Sequence, residues 1–264
     1  MQINPEVKRS ALRYFGGKWA IAPWILEHMP PHKVYVEPFG GAASVLLRKP
    51  RSRTEVYNDL DEEVVGLFRV IQDPKQCQQL MRLLKRTLYA RAEFKRAFEA
   101  STDPIIRSQR AIIRAYMSLH HSALFMPSKS GSFASSPGSG HKSWANYPRH
   151  LASMCRRLRG VIIEQKDARE VIRIQDSPDT LFFVDPPYLP STRDRSTRYR
   201  HDLDQSQHID LLDQLKAAQG KVMIAGYPSP LYDEHLAGWQ RIEREHYARA
   251  NGVRKAIEAL WIKP

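Results

Sequence analysis

Leu181-Phe182-Phe183-Val184-Asp185-Pro186-Pro187-Tyr188 decides how the chain is read. Four apolar residues in a row predict a buried strand. The strand ends at a carboxylate, two prolines and an aromatic ring. Neither proline has a backbone N–H, and Pro187 keeps Pro186 away from helical angles. The chain therefore leaves the sheet stiff and extended. Asp185 and the neighbouring carbonyls sit at the carboxyl end of a strand, where open α/β sheets bind ligands. A rigid acceptor pair beside an aromatic face suits a flat group carrying an NH2. The same residues also fit a plain strand followed by a Pro-rich turn.

Upstream, Val34 to Val36 predict another strand, followed by Glu37-Pro38-Phe39-Gly40-Gly41-Ala42-Ala43 and a helix from about Ser44. The near absence of side chains at Gly40-Gly41-Ala42 makes this the first half of a nucleotide-binding βα unit. The full GxGxxG of dinucleotide enzymes is missing. Thr54 to Asn58 predict a second strand ending in Asp59, 18 positions after Gly41. An acidic residue near that distance commonly holds ribose hydroxyls. Asp61 suits the N-cap of a helix from about Glu62 to Val70. Earlier still, Tyr14-Phe15-Gly16-Gly17-Lys18 offers a tight turn and a cation. Asp167 ends a third strand, Val161 to Glu164, and suits either a ligand contact or a helix cap.

The chain has 264 residues and a formal charge of +13. Residues 65–166 carry 18 Lys and Arg against 5 Asp and Glu, and the remainder is balanced at 23 of each. A solubility charge would be spread out, whereas a segregated one is the footprint of a polyanion, above all nucleic acid. This segment is helical in pattern from about Pro74 to Tyr116 and again from Trp144 to Leu158. Between them lies a Ser/Gly-rich stretch, 127–143, in which Lys129 and Lys142 suit phosphate contact. Arg193-Asp194-Arg195-Ser196-Thr197-Arg198-Tyr199-Arg200-His201 predicts a basic arm closing over a polyanion. Leu203 to Ala218 predict a helix, Lys221 to Tyr227 a strand, and Trp239 to Ile242 and Ala256 to Ile262 closing strands.

No apolar run approaches the ~20 residues of a membrane span. Cys77 and Cys155 form no CxxC, and the ten histidines show no metal spacing, so no metal is expected. The first eight residues lack the apolar core of a secretory signal. A reducing cytoplasm, bacterial or that of a phage-infected host, is the expected location.

Arg13-Tyr14-Phe15-Gly16-Gly17-Lys18, Val36 to Ser44, Asn58-Asp59-Leu60-Asp61 and Asp185-Pro186-Pro187-Tyr188, in this order, resemble the Dam-type (D12 class) DNA adenine-N6 methyltransferases. Gly226 to Tyr232 resembles a further segment of that family. The resemblance implies an α/β, Rossmann-like S-adenosylmethionine-dependent methyltransferase sheet, formed by 1–64 and 161–264. It places an inserted, mostly helical target-recognition domain at 65–160. Tyr14 and Lys18 would touch S-adenosylmethionine, Phe39 to Ala42 would wrap it, Asp59 would hold its ribose and Asp167 would lie near its adenine. Arg13 matches a position that contacts a guanine beside the target, and Tyr188 would stack on a flipped-out adenine. The implied partner is double-stranded DNA, contacted by Arg13, Lys129, Lys142, Arg193, Arg195 and Arg198. The insertion departs from the family: Tyr116 to Ser122 and the Ser/Gly-rich stretch stand where an Asn/Arg-rich run and a hairpin are usual. GATC and a different or relaxed site both stay open. Cytosine-N4 or RNA adenine methylation, and a non-catalytic DNA-binding protein on the same fold, are the alternative readings.

Overall fold

The computed structural model describes residues 3–14, 16–119, 132–136, 140–192, 199–248 and 254–264. Seven strands form one sheet: β1 (Val34–Glu37), β2 (Thr54–Asn58), β3 (Ile162–Glu164), β4 (Thr180–Val184), β5 (Lys221–Gly226), β6 (Gln240–Ala248) and β7 (Arg254–Ile262). Their order is β3-β2-β1-β4-β5-β7-β6. The first five are parallel, and β7 runs antiparallel to both β5 and β6. The strand order reverses between β1 and β4, so a crevice opens at their carboxyl ends.

β4 lies at the centre of the sheet and is buried along its whole length. Its side chains alternate between two layers. Leu181 and Phe183 enter one core with Tyr35, Tyr57 and Met223, and Phe182 and Val184 enter the other with Val36, Val56 and Ile224. Burial on both faces is why the strand reads as an unbroken apolar run instead of an alternating one. Helices α9 (Ala168–Gln175), α10 (Gln205–Ala217) and α11 (Pro230–His235) cover the second face. The first face is covered by α1 (Ala22–Glu27), α2 (Ser44–Arg48) and α3 (Glu62–Gln72).

Beyond α3, the connection from β2 to β3 contains α4 (Pro74–Arg86), α5 (Arg91–Arg96), α6 (Pro104–Met117), α7 (His141–Asn146) and α8 (Pro148–Leu158). Asp61, Asp73 and Asp103 cap α3, α4 and α6 by accepting from free N–H groups of the first turn. The stretch read as helix from Pro74 to Tyr116 is thus three helices, each begun by a cap or an extended residue. The chain leaves the sheet at Asp61, so α3 runs continuously across residues 64 and 65.

The last helix of this connection is tied to the sheet by a buried ion cluster. Arg157 donates to both carboxylate oxygens of Glu55 on β2, at 2.6 and 2.8 Å. Lys49 donates to the same carboxylate at 2.7 Å. All three side chains are at most 3% exposed. Burial alone would raise the Glu55 carboxyl, and the two cations outweigh it and lower it. Among the described residues, no helix is long and apolar enough to cross a membrane.

Candidate active site

The carboxyl ends of β1, β2 and β4 wall a cavity of about 410 Å³, within the usual size range for ligand sites. After β1 the chain turns through Gly40 and Gly41. Gly40 donates to the Asn58 carbonyl at 2.7 Å and lies so close to the Tyr57 ring that a Cβ would come within 2.1 Å of it. Gly41 has φ +47° and Ala43 φ +50°, so the turn is left-handed on entering α2. The Gly41 N–H donates to Asp59 Oδ2 at 2.8 Å, and the Tyr57 hydroxyl donates to the Gly41 carbonyl. Asn58 joins three strand ends, donating to the Pro38 and Lys166 carbonyls and accepting from the Lys166 N–H.

Tyr14, Gly16, Gly17, Lys18, Glu37, Pro38, Phe39, Gly40, Gly41, Ala42, Asp59, Asp167 and Asp185 all line this one cavity. Residues from four separate motifs therefore converge on it. Asp167 borders the cavity and accepts from the Arg169 N–H as the cap of α9, the second of the two roles weighed for it. Asp61 caps α3 as expected.

Asp185 lies on the cavity wall beside Pro186 and Pro187, its side chain 20% exposed. Lys18 is 4% exposed; its ammonium lies 2.8 Å from Asp185 Oδ1 and 3.6 Å from Glu258 on β7. Burial raises the Asp185 carboxyl to about 6; Lys18 opposes that rise and Glu258 adds to it. Burial works to lower the Lys18 ammonium, and the two carboxylates outweigh it. Glu37 is raised to about 7 by burial, although it accepts from the Tyr35 hydroxyl and the Leu46 N–H.

The ring of Tyr188, expected to stack on the target base, is not among the residues that line the cavity. It is 8% exposed, with the Lys18 ammonium 4.8 Å over its face and Tyr227 edge-on at 4.6 Å, and its hydroxyl donates to Glu258. The stiff Pro-Pro turn sends this ring into the protein. Lys142 is not in a loop: it is exposed in the first turn of α7. Phe15, Lys129, Arg193, Arg195 and Arg198 lie outside the described residues, as do His120, His121 and most of 127–139. Of the basic arm, Tyr199 to His201 border the cavity, and Arg200 pairs with Asp61 and Glu63 instead of facing outward for a polyanion. Arg13 stacks over the Tyr116 ring of α6 at 5.0 Å, at the seam between the N-terminal segment and the helical connection.

Sequence reading missed Glu258 and the acidic partners of Arg200. Glu258 follows Ile257, and alternation would put the isoleucine inside. The strand does the reverse, with Ile257 40% and Glu258 2% exposed.

The family model described as D12 class N6 adenine-specific DNA methyltransferase matches residues 14–249. The chain belongs to this family. This methyltransferase is 24% identical over 274 residues to the DNA adenine methylase of Escherichia coli K12, covering 96% of this chain and 94% of that protein. It is 23% identical over 270 residues to the DNA adenine methylase of Salmonella typhimurium LT2, with the same shares covered. A solved SAM-dependent methyltransferase from Agrobacterium tumefaciens is similar over 92% of this chain and 60% of that one, at TM-score 0.40 and 12% identity. Its own strand order gives the Rossmann-like sheet, and by its family the D12 methyltransferase methylates adenine N6 in DNA with S-adenosylmethionine. The cytosine-N4, RNA and non-catalytic readings fall away.

The cavity fits that cofactor. Asp59 and Asp185 place carboxyl groups on its wall, suited to a sulfonium and an ammonium. Ser44 Oγ at its wall is buried with no hydrogen-bond partner among the described residues. The bare Gly40-Gly41 turn lets a ligand approach the backbone.

Proposed function

We propose that Asp185 is the acceptor that activates the amino group of an adenine flipped out of double-stranded DNA. One Asp185 oxygen is held by Lys18, which leaves the other for the N6 amino group; the Pro186 carbonyl is its companion acceptor. The amino lone pair of adenine is delocalised into the ring and is a poor nucleophile. Hydrogen bonds accepted from both amino protons favour a more tetrahedral nitrogen with its lone pair aimed away from the acceptors. When bound, S-adenosylmethionine supplies an electrophilic methyl group to that lone pair. Asp185, held near the neutral range, can take the proton the nitrogen then gives up. This is catalysis by positioning and fixed electrostatics. The target nitrogen is unreachable for this geometry inside a duplex, so the base must leave the stack.

Tyr14, Phe39 and the Gly40-Gly41-Ala42 turn would enclose the cofactor. Asp59 would hold its ribose and Asp167 would lie near its adenine. The basic helical connection would follow the phosphate backbone, with the exposed Lys142 among its contacts, and Arg13 would contact a guanine beside the target adenine. The enzyme would then work in the cytoplasm, where its DNA lies.

The observation that carries this reading is a partly exposed Asp185 on the wall shared with the glycine turn and Asp59. The test is Asp185→Ala with labelled cofactor and mixed-sequence duplex. Methyl transfer should fall by at least roughly 10³-fold, with cofactor and DNA binding kept. Near-normal turnover would refute the assignment.

A further inference from the structure

Glu258 lies outside every motif that carries the family resemblance, yet it is in contact with the reacting corner. It stands on β7 and is 2% exposed. A carboxylate so buried is unusual unless it is paired. Its partners are the Lys18 ammonium at 3.6 Å and the Tyr188 hydroxyl, which donates to it. Lys18 in turn spans the 2.8 Å to Asp185 and donates to the Gly16 carbonyl. One ammonium is therefore shared by two carboxylates, of which only Asp185 lines the cavity.

We propose that Glu258 is a positioning residue for methyl transfer, drawing Lys18 partly away from Asp185 so that Asp185 remains a strong acceptor for the amino group. The proposal rests on the reading of Asp185 given above. If Lys18 faced Asp185 alone, its full charge would withdraw electron density from the carboxylate and weaken it as an acceptor. A second carboxylate on the far side of the ammonium divides that charge. Burial raises the Glu258 carboxyl, and Lys18 and the Tyr188 hydroxyl oppose that rise; the hydroxyl also fixes the carboxylate, which gives the tyrosine after Pro-Pro a role its burial allows. The charged and titratable groups facing Asp185 are Lys18, Glu258 and, farther off, Glu37, Tyr14, Tyr188, Tyr227 and Tyr232. Glu258 is the one whose like charge raises the Asp185 carboxyl.

The test compares wild type, Glu258→Gln and Asp185→Asn in single-turnover methyl transfer from pH 5 to 9, with cofactor binding measured alongside. Glutamine keeps an acceptor for the Tyr188 hydroxyl and removes only the charge. Glu258→Gln should lower the midpoint of the acid limb by on the order of one pH unit. It should slow transfer at pH 8 by roughly three- to tenfold and leave cofactor affinity within about twofold, since Glu258 does not border the cavity. A purely structural Glu258 would change stability or affinity without moving the limb. An unmoved limb with Asp185→Asn inactive overturns the role of Glu258 alone; an active Asp185→Asn overturns the reading beneath it. If Glu258→Gln fails to bind cofactor, Tyr188→Phe decides. Losing the hydroxyl that opposes protonation of Glu258 should move the limb in the same direction, and an unmoved limb refutes the proposal.

Discussion

Gly40 lies against the face of Tyr57, at a distance no side chain could share: a Cβ there would meet Cε2 at 2.1 Å. Tyr57 cannot retreat, because it is fully buried against Phe68 and its hydroxyl holds the Gly41 carbonyl. Gly40→Ala should therefore shift the turn itself. The expected cost is about 1–3 kcal/mol of stability and at least roughly a tenfold loss of cofactor affinity. Calorimetric titration and a urea melt check both.

Turnover should fall on the acid side with a midpoint near pH 6, the value to which burial raises Asp185. Protonation converts the required acceptor into a donor, so the loss runs with falling pH. The neighbouring Glu258 makes the midpoint a property of the pair. A single-turnover profile that stays flat to pH 5 would contradict the assignment.

Removing Glu55 should be worse than removing Arg157. Arg157→Met leaves Glu55 with Lys49 as its partner, at a cost of about 3–5 kcal/mol. Glu55→Met strands two buried cations, Lys49 and Arg157. Urea melts of both variants should rank them in that order.

Glu37 predicts a pH-dependent stability of definite sign. Its carboxyl rises from an ordinary 4.5 to about 7 on folding. Its contribution is present in full below pH 4.5 and is lost as pH rises through 7. Glu37→Gln keeps an oxygen for the Tyr35 hydroxyl and the Leu46 N–H and carries no charge to desolvate. The variant should gain on wild type by on the order of 2–3 kcal/mol between pH 5 and 8. Parallel melts at those pH values that show no widening gap would contradict this.

DNA affinity should fall steeply with salt, since the whole charge excess lies in residues 65–166. Lys142→Ala should weaken binding to all sequences alike and reduce the log–log salt slope by about one. Titrations at several salt concentrations measure it, and an unchanged slope would remove Lys142 from the interface.

The parts of the site legible in the sequence are those where backbone geometry is written into residue type. The apolar run 181–184, the prolines that stop it, Gly40-Gly41 and Asp59 each dictate a local conformation, and a parallel sheet brings strand ends together. What stayed hidden depends on long-range contact. Lys18 reads as a free cation beside two glycines, and only the fold delivers Asp185 and Glu258 to it, 167 and 240 positions later. Arg200 reads as part of a basic arm, and only the fold shows Asp61 and Glu63 waiting for it. The contact of Tyr188 with Glu258 was hidden too, because a motif gives order along the chain and says nothing of which way a ring turns.

The helical connection between β2 and β3 begins and ends at positions set by one register, Val56 beside Ile162 and Asn58 beside Glu164. Those two anchors stay put whatever length of chain runs between them, and closing a longer loop costs only about 0.6 kcal/mol per doubling. Descendants of this chain can therefore lengthen or trim the loops of that excursion while the strand tips stay in alignment, provided α3 still covers the sheet and Arg157 still pairs with Glu55. On the proposed reading of that excursion as the DNA-contacting part, new target sites are open to such a molecule without its having to relearn the reaction.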